Sequence, residues 1–348
     1  MIEVHPAKEH SGHRYRELDA LRGIAALVVV FFHVSIRQES LPYFRFGVTG
    51  VDLFFIISGF VILMSLSSIR SGKDFVINRV SRLYPTYWTC VTFTFLAMFL
   101  INSADSGFPA DVYWKQYLAN MTMFQHYFGV EDLDGPYWTM IVELLFYIAM
   151  LLLYVFRILE KAVGIFFIAA LGVTIMALTV SRGEAFAVIK VLPLLSYLPL
   201  FLAGIIFYQL FRSGKSTPLQ YLLLAGCYAM QTGLFYVSGR AYFFLEQWEY
   251  ALILLLYFLV FLLFVKGKLN FLVNPVTLFL GKISFALYLV HQFITTLFII
   301  PRLMENGWNY WAATFCVAIP VAIVLATLIT FCIEIPAGRR MKSFLRKN

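Results

Sequence analysis

Long apolar runs, broken by short polar clusters, fill almost the whole chain at the length a membrane span requires. Ten stand out, over residues 20–36, 50–66, 84–102, 138–156, 162–180, 192–211, 219–237, 250–265, 276–300 and 311–333. Each reads as a helix, because a chain crossing hydrocarbon has to satisfy its backbone polar groups within the segment. No polar stretch is long enough for a separate soluble domain, and no internal repeat is visible. The pattern predicts an all-α polytopic membrane protein of about ten transmembrane helices over residues 1–335, with a basic tail over 336–348. The first run follows Arg14, Arg16 and Arg22, as in a signal peptide, but no small-x-small cleavage site follows, so it reads as a retained helix.

Charge sets the orientation. With the N-terminus placed inside, twenty of the 27 Lys and Arg residues fall on that side. This is the positive-inside pattern, and it puts both termini in the cytoplasm. It also accounts for the net charge of +8 without any nucleic-acid partner. The composition, 61% hydrophobic and 13% charged with a mean hydropathy of +0.80, leaves little soluble mass. Cys90, Cys227, Cys316 and Cys332 sit in apolar segments at unrelated spacings, which excludes a disulfide framework and a zinc pattern. No bound cofactor or metal is expected. The longest outside loop, 103–137, is acidic (Asp105, Asp111, Glu131, Asp132, Asp134) and aromatic, and reads as a segment lying in the interface.

Against this background the polar residues inside the spans fall into two layers. Arg22 and His33 are eleven residues apart in one apolar run, which puts them on one helix face about 16 Å apart along the axis. Arg22, Arg79 and Arg82 lie near the inner ends of their spans; His33, Asp52, Glu143 and His291 lie in the outer half. Ionisable residues inside a membrane are costly and point to function. A cationic inner layer suits a polyanionic cytosolic ligand, and a His/carboxylate outer layer suits proton transfer at a hydroxyl. The separation is comparable with the reach of coenzyme A from phosphates to thioester. Structural readings stand beside these: the arginines as positive-inside anchors, the histidines as packed bundle residues, Asp52 as a helix cap.

The residues then resemble a known family. Arg16-Glu-Leu-Asp19-Ala-Leu-Arg22-Gly followed by His33 is similar to the opening of the integral-membrane acyltransferase-3 family. Gly50-Val-Asp52-Leu-Phe-Phe-Ile-Ile-Ser58-Gly59-Phe60, Arg79-Val-Ser-Arg82-Leu-Tyr-Pro85 and Tyr137-Trp138-Thr-Met-Ile-Val-Glu143-Leu-Leu-Phe146-Tyr147 resemble its next three blocks, in order. Ile283-Ser284 through Tyr288 to His291 is a weaker fifth.

The resemblance implies transfer of an acyl group, usually acetyl, from cytosolic acyl-CoA to a hydroxyl of a sugar or extracytoplasmic glycan, at a bacterial inner membrane. The glycan acceptor is lipid-linked in one version of this reading. Arg22, Arg79 and Arg82 then bind acyl-CoA, and His33 acts as base with Glu143 fixing its ring. Asp52 and His291 position the acceptor. Direct transfer and an acyl-histidine intermediate both fit the sequence. The basic tail reads as an anionic-lipid anchor, and a separate extracytoplasmic partner is compatible with a chain of this length. The competing class is a proton-coupled transporter of a lipid-linked sugar or acyl metabolite, which also uses intramembrane His and Glu.

Overall fold

The computed structural model describes residues 15–36, 44–102, 110–239 and 241–347. Arg14 and Asp105, named above, lie outside them, as do Arg37 and Arg240, two of the seven basic residues that the orientation places on the outer side. The described residues are helical and contain no strand.

The helices are α1 (Arg16–Ser35), α2 (Gly50–Leu66), α3 (Gly72–Asn102), α4 (Ala110–Met121), α5 (Trp138–Val155) and α6 (Ala162–Thr179). After them come α7 (Arg182–Val191), α8 (Leu198–Ser213), α9 (Pro218–Gly233), α10 (Gln247–Val265), α11 (Pro275–Glu305) and α12 (Tyr310–Lys347). Among the described residues nine helices are long and apolar enough to cross a membrane. The tenth predicted span, 219–237, is the 16-residue α9, which ends in turns at Leu234. Short α4 and α7 lie between spans. Aromatic residues of α4 pack onto α3: Phe95 stacks on Tyr117 at 4.5 Å, and Trp88 Nε1 donates to Met121 O at 2.8 Å.

Burial divides the bundle into centre and rim. α1, α2, α8 and α11 are mostly buried, whereas α6 and α10 turn Ile168, Leu178, Leu252 and Leu256 outward, as lipid-facing helices do. The central contact is between α1 and α11, which run parallel. They cross at Gly23 and Gly281, where a Cβ on Gly23 would stand 2.6 Å from the Gly281 amide nitrogen. Only residues without side chains allow backbones so close, the same device that packs membrane helices generally. His33 and His291 each lie ten residues beyond this crossing, so parallel helices carry them to the same level.

Two helices depart from regular geometry. Directly after His291, α11 widens to a π-helix over Phe293–Ile299. There the Phe293 N–H donates to the Asp134 carboxylate at 3.1 Å, which ties the loop before α5 to the irregular turn. Burial pushes the Asp134 carboxyl up to about 7, opposed by N–H donors from Phe293 and Gly135. In α3, Pro85 lacks an N–H and leaves the Ser81 carbonyl without its helical donor.

Candidate active site

Two cavities lie end to end along the α1–α11 pair. The first holds about 690 Å³ of empty space and is lined by Arg22, Ser58, Arg82, Thr139, Glu143, Tyr147 and apolar side chains. The second holds about 760 Å³ and is lined by His33, Asp52, Trp138, Tyr197, Tyr250 and Gln292 among others. Val51 and Tyr288 belong to both walls. The Tyr288 hydroxyl is anchored on Thr139 Oγ1 at 3.0 Å and Pro136 O at 3.4 Å, which holds its ring on the border between the two cavities.

The first cavity has a cationic wall. Arg22 and Arg82 approach closely enough to repel each other, and neither forms a hydrogen bond or ion pair with any described residue. Two unpaired guanidinium groups on one mostly apolar wall are costly unless an anion joins them. Asp19, one turn before Arg22 on α1, and Glu143 supply the nearby negative charge without pairing with Arg22; Glu143 Oε1 accepts from Ser58 Oγ at 3.2 Å and from the Tyr147 hydroxyl, while Oε2 is left for a ligand.

Arg79 stands one layer behind, off the cavity wall. Its guanidinium lies over the Phe75 and Tyr147 rings at 5.6 and 5.8 Å and donates to Ser65 Oγ at 3.3 Å. Three residues apart on α3, Arg79 and Arg82 share a face, but only Arg82 lines the cavity.

The second cavity contains a histidine pair whose protons follow from its hydrogen bonds. His291 Nδ1 faces Tyr288 O at 2.8 Å and Leu287 O at 3.1 Å, both acceptors, so Nδ1 carries the proton and Nε2 the lone pair. His33 Nδ1 then lies between two acceptors, His291 Nε2 at 3.1 Å and Val29 O at 3.0 Å. It too carries its proton on Nδ1, which leaves Nε2 as the basic atom of the ring. His33 lines the cavity, whereas His291 is fully buried and lines neither.

Two of the expected site residues lie away from the cavity that His33 lines. Glu143 is on the wall of the first cavity. Trp138, at the start of α5, is on the second cavity, and Glu143 lies five residues further on, about 7.5 Å deeper and in the first. His291 lines neither cavity and lies buried against His33 between α1 and α11. Asp52 does line the second cavity, beside the Tyr250 hydroxyl. Sequence reasoning missed Tyr250, Gln292 and the border position of Tyr288. Tyr288 had a signal, one turn before His291; Tyr250 had none, because it enters from a distant span.

A multi-pass helical membrane protein with an unpaired cationic chamber and a buried histidine pair is the class these observations define. The chain belongs to the family whose profile, described as an acyltransferase domain, matches residues 15–330. It is similar to nodulation protein 10 of Rhizobium leguminosarum bv. viciae, 28% identical over 196 residues, 49% of this chain and 53% of that protein. Similarity to a putative acetyltransferase, ORF330, of Acidianus two-tailed virus is 23% over 332 residues, 92% of this chain and 89% of that one. O-acetyltransferase OatA of Staphylococcus aureus (strain COL) is 30% identical over 146 residues, 38% of this chain and 23% of the relative. This chain thus spans about half of the nodulation protein and less of OatA. No solved structure matches. The chain is a multi-pass membrane member of that family.

Proposed function

We propose that this acyltransferase moves an acyl group, acetyl in the simplest case, from cytosolic acyl-CoA to a hydroxyl of a sugar or glycan on the other side of the membrane. The observation that carries the reading is the histidine pair at one end of two adjoining cavities and the unpaired Arg22 and Arg82 at the other.

Arg22 and Arg82 hold the donor's phosphates, since guanidinium forks match phosphate oxygens. The apolar wall of the first cavity takes the pantetheine arm, with Ser58, Thr139 and Glu143 available to its amides. Passing Tyr288, the arm brings the thioester to His33. About 16 Å of helix between Arg22 and His33 sets the length the donor has to span.

The acceptor hydroxyl lies in the second cavity, with Trp138 as an apolar platform and Asp52 and Gln292 as polar contacts. His33 Nε2 takes the hydroxyl proton while the oxygen attacks the thioester carbonyl carbon. The C–O bond forms, the C–S bond breaks, and the proton passes from His33 to the leaving thiolate. The products are an ester and free coenzyme A. His291 Nε2 accepts the His33 Nδ1–H throughout, which holds the ring in place and favours its transient positive charge. Here His291 is a positioning residue; His33 is the catalytic residue.

The test is transfer of radiolabel from acetyl-CoA to a membrane-derived glycan pool by purified protein. Label in glycan with wild type, lost in His33→Ala, supports the reading. Unmodified glycan moved across a vesicle membrane without acyl transfer would replace it with transport.

A further inference from the structure

The C-terminal helix supplies a feature that neither cavity uses. α12 runs on past its apolar section as Ile335–Lys347 and packs along the start of α3. Residues 338, 342 and 346 are four apart and form one stripe of that helix. Gly338 opens the contact: a Cβ there would stand 2.8 Å from Ser81 O, the carbonyl that Pro85 leaves without a donor. Arg346 closes it, 3.5 Å from the Asp74 carboxylate, which also accepts from Ser71 Oγ. Both contacts fix the register of the two helices.

Lys342 is held midway on this stripe, next to Arg79, Asp74 and Arg346. It forms no hydrogen bond or ion pair with any described residue, and the buried Nε of Arg79 is likewise unpartnered. Cations therefore follow one another from the first cavity outward: Arg22 beside Arg82, Arg82 beside Arg79, Arg79 beside Lys342, Lys342 beside Arg346. A stripe that served only to dock the tail has no need of a cation at 342, where Arg79 and Arg346 repel it and the neighbouring Asp74 is already paired with Arg346. Arg339 and Arg340, by contrast, are exposed and turned away from this row, as residues reaching for lipid headgroups would be.

We propose that Lys342 extends the phosphate site outward and takes the terminal phosphate of a nucleotide whose diphosphate sits on Arg22 and Arg82. The assignment rests on the acyl-CoA reading above. In coenzyme A the 3′-phosphate lies beyond the diphosphate as counted from the thioester, so it falls at the outer end of the row. The docked tail helix is then part of the donor site.

The experiment compares the affinity of the purified full chain for coenzyme A and for 3′-dephospho-coenzyme A by calorimetry. Lys342→Ala weakens coenzyme A binding about tenfold and leaves the dephospho ligand within about twofold, while Lys342→Arg keeps both affinities. Equal loss for both ligands, or for neither, overturns the assignment. Wild type that binds neither ligand removes the donor reading itself and the inference with it. Repeating the titration in nanodiscs with and without phosphatidylglycerol separates the phosphate sources. Anionic lipid that competes with coenzyme A only when Lys342 is present would give that lysine to a lipid headgroup instead.

Discussion

The two cavities differ in how they treat charge. The first leaves Arg22 and Arg82 without partners in a mostly apolar wall, whereas the second gives each histidine proton an acceptor before any ligand arrives. Unbalanced charge marks a place built for a ligand that brings the opposite sign. A saturated hydrogen-bond pair marks a place where one proton has to move along a fixed path. On the proposed function, binding and chemistry are thus separated along α1, with Tyr288 on the border of the two cavities.

Substitutions in the two chambers should therefore fail differently. His33→Ala removes the base and is expected to lower the transfer rate by about 10²- to 10⁴-fold with donor affinity unchanged. Rate and affinity measured on one preparation check this. Arg22→Ala removes charge-assisted bonds worth about 1.5–3 kcal/mol and should weaken donor binding by about 10- to 150-fold. His291→Leu takes away the acceptor for His33 Nδ1–H and is expected to lower kcat about 10- to 100-fold at unchanged donor KM. His291→Gln, whose side-chain oxygen can accept the same proton, should recover much of that loss. A purely structural role for His291 would instead show as equal losses in both variants. Asp52→Asn has the smallest expected effect, a rise of a few fold in acceptor KM with donor affinity untouched. A change in donor affinity there would dissolve the division between chambers.

The sequence made depth legible but not facing. Apolar run length located the spans because hydrocarbon thickness is a fixed ruler. Helical periodicity put Arg22 and His33 on one face because both lie on one helix. Which helices meet is decided by packing between distant segments, which apolar run length does not display. Depth counted from span ends puts Glu143 and His33 in one layer, whereas they line different cavities, because such a count carries an error of a turn or more. His291 was placed at the level of His33, but its orientation depends on the crossing at Gly23 and Gly281, two residues that look unremarkable in isolation. The tail illustrates the same limit: five basic residues suggested a lipid anchor, whereas their stripe positions separate those facing α3 from those facing outward.

The central claim is that binding and chemistry sit at opposite ends of α1. It is tested most directly by measuring acetyl-CoA affinity and single-turnover acyl transfer on the same preparations of His33→Ala and Arg22→Ala. Separation of the two ends predicts that His33→Ala binds donor like wild type and transfers about 10²- to 10⁴-fold more slowly. It predicts that Arg22→Ala binds weakly and, at saturating donor, transfers at a rate close to wild type. Donor affinity lost in His33→Ala and kept in Arg22→Ala would contradict it.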